Sequence, residues 1–120
     1  MAYIYIVRCD DDSLYTGITK DIAKRINNHV SGKGPSHAKY MRGRSPVEML
    51  ALWKTDEYKV AAKLEYAIKK RLSRLQKFEL AENPHTVTEV FPHLAGLVYI
   101  PVENPNTLFE KIKAVQKTIM

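Results

Sequence analysis

Five side chains within the first 65 residues have the types needed to hydrolyse a phosphodiester bond: Tyr5, Tyr15, Arg25, His29 and Glu65. That reaction requires an activated water, stabilisation of charge on the phosphoryl oxygens and support for the leaving alkoxide. A guanidinium can clamp a phosphate, and an imidazole can transfer a proton near pH 7. One carboxylate can hold a hard cation such as Mg²⁺ if water and substrate phosphate fill the other positions. Either tyrosine can act as a base only if a nearby cation or metal-bound water lowers its ordinary pKa of about 10.

The two tyrosines lie in segments that predict a β-hairpin. Residues Tyr3 to Val7 and Leu14 to Ile18 are rich in β-branched and aromatic residues, which favour strands. The polar cluster Asp10 to Ser13 between them is typical of a turn. Strand tyrosines are usually core residues, but Gly17, which permits close approach of the backbone, favours a catalytic role for at least one of the two.

The arginine and the histidine lie in a predicted helix over residues 21–31, which Asp21 can cap and Gly32 can end. Its apolar positions recur every four residues: Ile22, Ile26 and Val30. Because Arg25 and His29 are four residues apart, they share one face of this helix. For an isolated pair, the competing interpretation is a solvated arginine beside a histidine that covers the edge of the apolar stripe.

Glu65 lies in a longer predicted helix that follows a third strand, Val47 to Trp53, and that Asp56 can cap. The apolar stripe of this helix consists of Val60, Leu64, Ala67, Ile68 and Leu75. Glu65 falls beside the stripe, at the rim of the expected core. The alternative to a metal-binding role is an ordinary i,i+4 pair with Lys69, worth about 0.3 kcal/mol.

Residues 32–46 contain glycine, serine and proline without periodicity and predict an exposed loop. The loop carries a basic tract with one aromatic residue, suited to phosphate contacts and one base stack: Lys33, Lys39, Tyr40, Arg42 and Arg44. A merely solvated loop is the competing interpretation.

The distribution of charge indicates a polyanionic partner. The 120 residues carry a net charge of +6, and residues 1–82 contain 16 of the 19 Lys and Arg and 10 of the 13 Asp and Glu. All of the net charge therefore lies with the candidate site, as binding to nucleic-acid phosphates requires. A basic surface that serves only solubility is the alternative.

The length of the chain predicts one hydrophobic core, because 120 residues are too few for two. No apolar stretch approaches the roughly 20 residues that cross a membrane, and the N-terminus lacks the basic leader of a signal peptide. The single Cys9 excludes an intramolecular disulfide. We therefore expect a cytoplasmic protein without a membrane partner.

The composition changes at Asn83, which divides the chain into a predicted main domain, residues 1–82, and a C-terminal appendage, residues 83–120. The appendage is uncharged overall and contains an apolar stretch and a helical pattern through Leu108, Ile112 and Val115. It either adds a strand and a terminal helix to the core or packs as a flap across one face.

The order of these motifs resembles that of the GIY-YIG nucleases. Tyr3-Ile4-Tyr5 is similar to their first signature triplet, and Tyr15-Thr16-Gly17 to the second. Arg25 and His29 resemble their helical pair, and Glu65 their metal-binding glutamate. The resemblance covers residues 2–80 and is strongest to the small standalone bacterial members. It implies an α/β (α+β) fold with a small three-stranded, mainly antiparallel sheet flanked by helices.

The same resemblance implies a divalent-metal-dependent endonuclease that hydrolyses phosphodiester bonds in DNA, in repair or recombination, with one Mg²⁺ or Mn²⁺ on Glu65. Tyr5, Tyr15, Arg25 and His29 are then catalytic. One departure from the family pattern favours a protein without turnover: several DNA-cleaving relatives have an asparagine where this chain reads Gln76-Lys77-Phe78. Two alternatives remain open, a non-catalytic nucleic-acid-binding module of the same fold and a partner-binding protein whose appendage covers the site.

Overall fold

The computed structural model describes residues 1–31 and 44–119 and shows an antiparallel sheet between two layers of helices. The strands in the described residues are β1 (Ala2–Cys9), β2 (Leu14–Thr19), β3 (Pro46–Thr55) and β4 (Ile100–Pro101). Their order is β2-β1-β3-β4, and all neighbours are antiparallel. The predicted α+β class is confirmed.

The predicted strand number is wrong, because the described sheet has four strands and not three. β4 contributes only two residues, and these pair with Trp53 and Lys54 of β3. One of the two is Pro101, which has no N–H to donate and is confined to sheet edges. Such a short strand has no alternating pattern, so the apolar stretch of the appendage allowed an added strand but did not decide between that strand and a flap.

The hairpin of β1 and β2 closes through the polar turn predicted from the sequence. The backbone N–H of Cys9 donates to the carbonyl of Ser13, and that of Asp12 donates back to Cys9. Asp12 has a φ of 68°, a left-handed conformation that aspartate tolerates better than most residues. The turn fixes the register in which Tyr5 pairs with Gly17.

The first helix, α1, spans Ile22–Ser31. The carboxylate of Asp21 accepts a hydrogen bond from the backbone N–H of Lys24 at 3.1 Å, so the predicted N-terminal cap is present. Gly32, the predicted end, lies outside the described residues.

The long helix predicted after β3 is two helices, α2 (Tyr58–Arg71) and α3 (Arg74–Glu82). Asp56 does not cap α2, because the N-cap position is Glu57 and makes no side-chain capping bond. The chain leaves the helical conformation at Leu72, and α3 begins with a capping box between Ser73 and Gln76. This break turns Leu75 away from the predicted stripe, and it is 67% exposed.

The core occupies both faces of the sheet. On one face, α2, α3 and the short helix α4 (Val87–Val90) cover apolar side chains of β1 and β3 around Ile4 and Trp53. On the other face, α1 and the terminal helix α5 (Pro105–Ile119) cover a smaller cluster that contains Tyr5. The candidate site belongs to this second face.

The C-terminal segment packs directly on the sheet and on α2. The Trp53 indole donates to the carbonyl of Pro84 at 2.8 Å, and the Tyr99 hydroxyl donates to the carbonyl of Val60 at 2.8 Å. Phe109 of α5 is fully buried beside the Tyr5 cluster. Among the described residues, no helix is long and apolar enough to span a membrane.

Candidate active site

Tyr5 and Tyr15 lie on adjacent strands, with their ring centres 6.1 Å apart. Tyr5 is fully buried, and its register partner on β2 is Gly17. A Cβ at Gly17 would clash with the Tyr5 hydroxyl and would lie 2.5 Å from Tyr5 Cζ and 2.9 Å from Tyr15 Cε2. Glycine is therefore needed here for space, because only a residue without a side chain leaves room for the Tyr5 phenol.

Helix α1 places Arg25 and His29 against the two phenols. The Tyr5 hydroxyl lies 2.8 Å from His29 Nε2, and Arg25 Nε donates to the Tyr5 oxygen at 3.2 Å. Arg25 Nη2 lies 3.5 Å from the Tyr15 hydroxyl, so one guanidinium touches both tyrosines. His29 is 3% exposed, and its ring packs edge-on against both phenols. The structure thus brings together the four residues predicted to be catalytic.

The direction of these hydrogen bonds follows from what each group can donate. A guanidinium only donates, so the Tyr5 oxygen accepts from Arg25. The Tyr5 hydroxyl can then donate its own proton to His29 Nε2 when that nitrogen is unprotonated. The arrangement defines a proton path between a phenol and an imidazole.

Burial raises the pKa of Tyr5 well above its ordinary value, and the nearby Tyr15 and Glu65 add to the rise, although Arg25 opposes it. Burial acts to lower the pKa of Arg25, but hydrogen bonds to Tyr5 and Tyr15 outweigh it and hold the pKa above its usual value. Tyr5 therefore remains a neutral phenol near pH 7, and Arg25 remains a cation.

Glu65 and Lys69 of α2 approach the same cluster from the opposite face of the sheet, where β2 is an edge strand. Glu65 Oε2 lies 3.5 Å from Lys69 Nζ, so the ordinary i,i+4 pair is present. Lys69 Nζ also lies 5.7 Å from the centre of the Tyr15 ring. The Glu65 side chain is 22% exposed, which leaves its carboxylate within reach of solvent.

Comparison with known proteins matches residues 1–79 to the model of the GIY-YIG catalytic domain. The chain belongs to this family. The resemblance inferred from the sequence is thereby confirmed, and membership of the family indicates a nuclease-type function and nucleic-acid binding.

Small proteins from several organisms are similar to this GIY-YIG domain. UPF0213 protein BH0048 of Halalkalibacterium halodurans is 46% identical over 78 residues, which cover 65% of this chain and 79% of that protein. UPF0213 protein H16_B0156 of Cupriavidus necator is 48% identical over 75 residues, which cover 62% of this chain and 77% of that protein. A solution NMR structure of UPF0213 protein BH0048 from Bacillus halodurans is 41% identical in sequence and has a TM-score of 0.44. The match covers 76% of this chain and 97% of the solved chain.

Most of the predicted nucleic-acid-binding residues lie outside the described residues: Lys33, Lys39, Tyr40 and Arg42. Arg44 is described, and its Nε lies 3.0 Å from Asp11 Oδ2 in the turn of the hairpin. The neighbouring Ser45 exchanges backbone and side-chain hydrogen bonds with Asp10. The polar turn therefore holds the end of the predicted loop beside the site.

Two openings flank the tyrosines of the GIY-YIG domain, one near each end of β2. The first, about 290 Å³, is called the Lys24 opening, and its polar and aromatic wall contains Lys20, Asp21, Lys24, Arg25 and Tyr58. The second, about 200 Å³, is called the Lys77 opening, and its wall contains Tyr15, Arg44, Lys69 and Lys77. Sequence reasoning did not assign Lys20, Lys24, Tyr58 or Lys77 to the site. Among these four residues, Lys77 alone lies in a stretch that the sequence marks, the excess of basic residues between Lys59 and Lys77.

Within the described part of the candidate site, the residue that could hold a metal ion is Glu65. In the part of the chain that the structure describes, no three His, Cys, Asp or Glu side chains lie close enough to form a site of protein ligands. A single, partly exposed carboxylate beside Tyr5 fits a hard cation whose remaining ligands are water and substrate phosphate. It does not fit a closed structural metal site.

Proposed function

We propose that this protein is a divalent-metal-dependent endonuclease that hydrolyses phosphodiester bonds in DNA. The observation that supports this most strongly is the convergence of Tyr5, Tyr15, Arg25 and Glu65 from four separate elements. A module that only bound phosphate would not need two phenols and a carboxylate within one cluster. Repair or recombination is the setting that the family resemblance favours.

In this proposal Tyr15, as a phenolate beside the Arg25 guanidinium, takes the proton of the attacking water and becomes a neutral phenol. Tyr15 is only partly buried and forms part of the wall of the Lys77 opening, which gives water access to its hydroxyl. Tyr5 is unsuited to this role, because burial raises its pKa and keeps it protonated. Tyr5 instead orients Arg25 and shares a proton with His29.

Arg25 stabilises the charge that develops on the phosphoryl oxygens in the transition state. Its hydrogen bonds to Tyr5 and Tyr15 fix its position before substrate binds. A fixed donor of this kind lowers a barrier because no reorganisation is needed during the reaction.

Glu65 is the proposed ligand of one Mg²⁺ or Mn²⁺. When bound, such an ion supplies Lewis-acid stabilisation of the phosphate and support for the leaving oxygen. Lys69 pairs with the same carboxylate, and ion pairs this exposed contribute only about 0–1 kcal/mol, so a divalent cation can displace it.

The test is a cleavage screen with Mg²⁺ or Mn²⁺ over plasmid, branched and single-stranded DNA, with a matched RNA. Wild-type protein and Glu82→Gln, a control at an exposed glutamate of α3, should both produce cut DNA. Glu65→Gln keeps the size of the side chain but removes its charge, so it should give no product while retaining fold and binding. Cleavage by Glu65→Gln at the wild-type rate would refute the metal assignment, and cleavage of RNA alone would refute the choice of DNA.

A non-catalytic nucleic-acid-binding module is the second candidate. It is favoured by the Glu65–Lys69 pair, which already neutralises the only proposed metal ligand, and by Gln76-Lys77-Phe78 in place of an asparagine. Binding without product on any substrate in the same screen would establish it. The third alternative, an appendage that covers the site, is not favoured at the two openings, whose walls contain no residue beyond Lys77, although α5 covers the buried side of the Tyr5 cluster.

A further inference from the structure

The Lys24 and Lys77 openings lie on either side of the Tyr15–Arg25 pair. Ile18 and Thr19, at the end of β2, form part of the wall of the first opening. Leu14 to Thr16, at its start, form part of the wall of the second. With a rise of about 3.3 Å per strand residue, the openings are separated by about 12 Å along this edge strand.

Both openings are strongly cationic. Three cations and one acid line the Lys24 opening, and the acid, Asp21, is engaged in capping α1. Three cations and no acid line the Lys77 opening, although Arg44 pairs with Asp11 and Lys69 with Glu65, which leaves Lys77 as its unpaired cation among the described residues. Within residues 1–31 and 44–119, no carboxylate forms an ion pair with Lys20, Lys24 or Lys77. Unneutralised lysines grouped in this way are suited to anions and cost free energy through mutual repulsion when no anion is bound.

The size of the openings limits the ligand. At about 290 and 200 Å³, they lie at or below the lower end of the range of roughly 300–1,000 Å³ that small-molecule pockets occupy. A phosphate group fits such a shallow cationic depression better than a complete cofactor does. Tyr58, 45% exposed at the rim of the Lys24 opening, also offers an aromatic face to one base.

We propose that one nucleic-acid strand runs along the outer edge of β2, with a backbone phosphate in each opening and the cleaved phosphate between them at Tyr15 and Arg25. Because the backbone winds around the axis, neighbouring phosphates on one strand lie farther apart than the axial rise of about 3.4 Å per nucleotide, so a separation of about 12 Å corresponds to phosphates about two nucleotides apart. The inference rests on the proposed function and adds to it the path of the substrate and the residues that bind its flanking phosphates.

The first measurement is the salt dependence of binding to single-stranded and duplex DNA, with EDTA present so that no cleavage occurs. The slope of log K against log[salt] is negative. For each phosphate that the protein no longer neutralises, its magnitude decreases by about 0.7 on single strands and by about 0.9 on duplex. Lys24→Ala and Lys77→Ala should each decrease the magnitude of the slope by one such step. Lys63→Ala, at an exposed position on α2 outside both openings, is the matched control and should leave it unchanged.

The second measurement locates the two phosphates by replacing single linkages with uncharged methylphosphonates. In Lys24→Ala one linkage should be silent, meaning that its neutralisation no longer weakens binding. It should lie about two nucleotides from the linkage that is silent in Lys77→Ala. The wild-type cleavage position should fall between them.

The outcomes separate this inference from the proposed function. Absence of nucleic-acid binding by the wild type would overturn both. Normal wild-type binding and cleavage, with Lys24→Ala and Lys77→Ala indistinguishable from Lys63→Ala, would overturn the substrate path alone. Silent linkages on the same side of the cleaved phosphate would overturn it as well.

Discussion

The candidate site has two halves that differ in burial and in the way their charges are held. The inner half, Tyr5 with His29, is at most 3% exposed and is joined by a 2.8 Å hydrogen bond. The outer half, Tyr15 with Glu65 and Lys69, is partly open and is held by a longer ion pair and a cation above a ring. Arg25 connects the two halves through separate nitrogens.

Because the two halves differ in burial, we infer that they have different roles in the reaction. A buried, hydrogen-bonded phenol and imidazole are set in place by folding and lose no rotational freedom when substrate arrives. Exposed ion pairs contribute only about 0–1 kcal/mol and can be exchanged for a metal ion or a phosphate. The inner half therefore holds Arg25 in position, and the outer half contains the groups that take part in the reaction. Variants in the inner half should change stability and rate together, whereas those in the outer half should change rate alone.

Replacement of Arg25, which belongs to both halves, should have the largest effect. Arg25→Ala removes charge stabilisation and should lower the cleavage rate by about 10²-fold or more. It also removes the donor to the buried Tyr5 oxygen, which should cost about 1–3 kcal/mol of unfolding free energy. Cleavage kinetics and urea denaturation measure the two effects. An unchanged denaturation midpoint would contradict the positioning role of the inner half.

Tyr15→Phe should lower the cleavage rate by about 10²-fold or more, the scale of losing one proton-transfer group. Its contact with Arg25 is long, at 3.5 Å, so stability should stay within about 0.5 kcal/mol of wild type. DNA affinity should change far less than rate. Tyr66→Phe, at a 62% exposed position on α2, is the matched control and should cleave normally. If Tyr15→Phe also cleaved normally, the proton acceptor would have to be another group.

Gly17→Ala tests the fit between β2 and the inner half. The added methyl group would overlap the Tyr5 ring, and overpacking of this kind costs about 1–3 kcal/mol. A double-mutant cycle identifies the cause, because in a Tyr5→Leu background the ring is absent and the same substitution should cost less. Equal costs in both backgrounds would show that the space at Gly17 does not serve Tyr5.

The elements that hold the inner half could be predicted because their signals are local. Three signals are each contained in a short stretch of sequence: the β-branched and aromatic residues of β1 and β2, the turn at Asp10 to Ser13, and the four-residue spacing of Arg25 and His29. Once these elements form, antiparallel pairing brings Tyr5 opposite Gly17. The grouping of Tyr5, Arg25 and His29 then requires only that α1 pack on the hairpin.

The walls of the outer half could not be predicted, because they depend on contacts between distant segments. Lys77 reaches the opening beside Tyr15 only because the chain breaks at Leu72 and starts a new helix at Ser73. The apolar spacing continued to Leu75 and gave no sign of that break. Arg44 was predicted to bind nucleic acid, but its position in this opening depends on its pair with Asp11, 33 positions earlier in the chain. Charge pairs of this kind leave no periodic pattern in a sequence.

The smallest expected effect is a change in stability at high pH, which tests the burial of the inner half. Unfolded tyrosines ionise near pH 10, whereas burial keeps Tyr5 protonated in the fold to a higher pH. Above pH 10 the unfolded state therefore binds fewer protons than the folded state, and unfolding free energy should fall as pH rises. Below pH 10 both states keep the proton, so Tyr5 contributes no pH dependence there.

Burial likewise raises the pKa of Tyr99 to about 12, so Tyr99→Phe provides a comparison outside the site. Urea denaturation between pH 9 and 11.5 should show a shallower alkaline decline in Tyr5→Phe and in Tyr99→Phe than in wild type, whatever their stabilities at pH 7. A decline in Tyr5→Phe as steep as in wild type would mean that solvent reaches the Tyr5 hydroxyl, and the distinction between the two halves of the site would be lost.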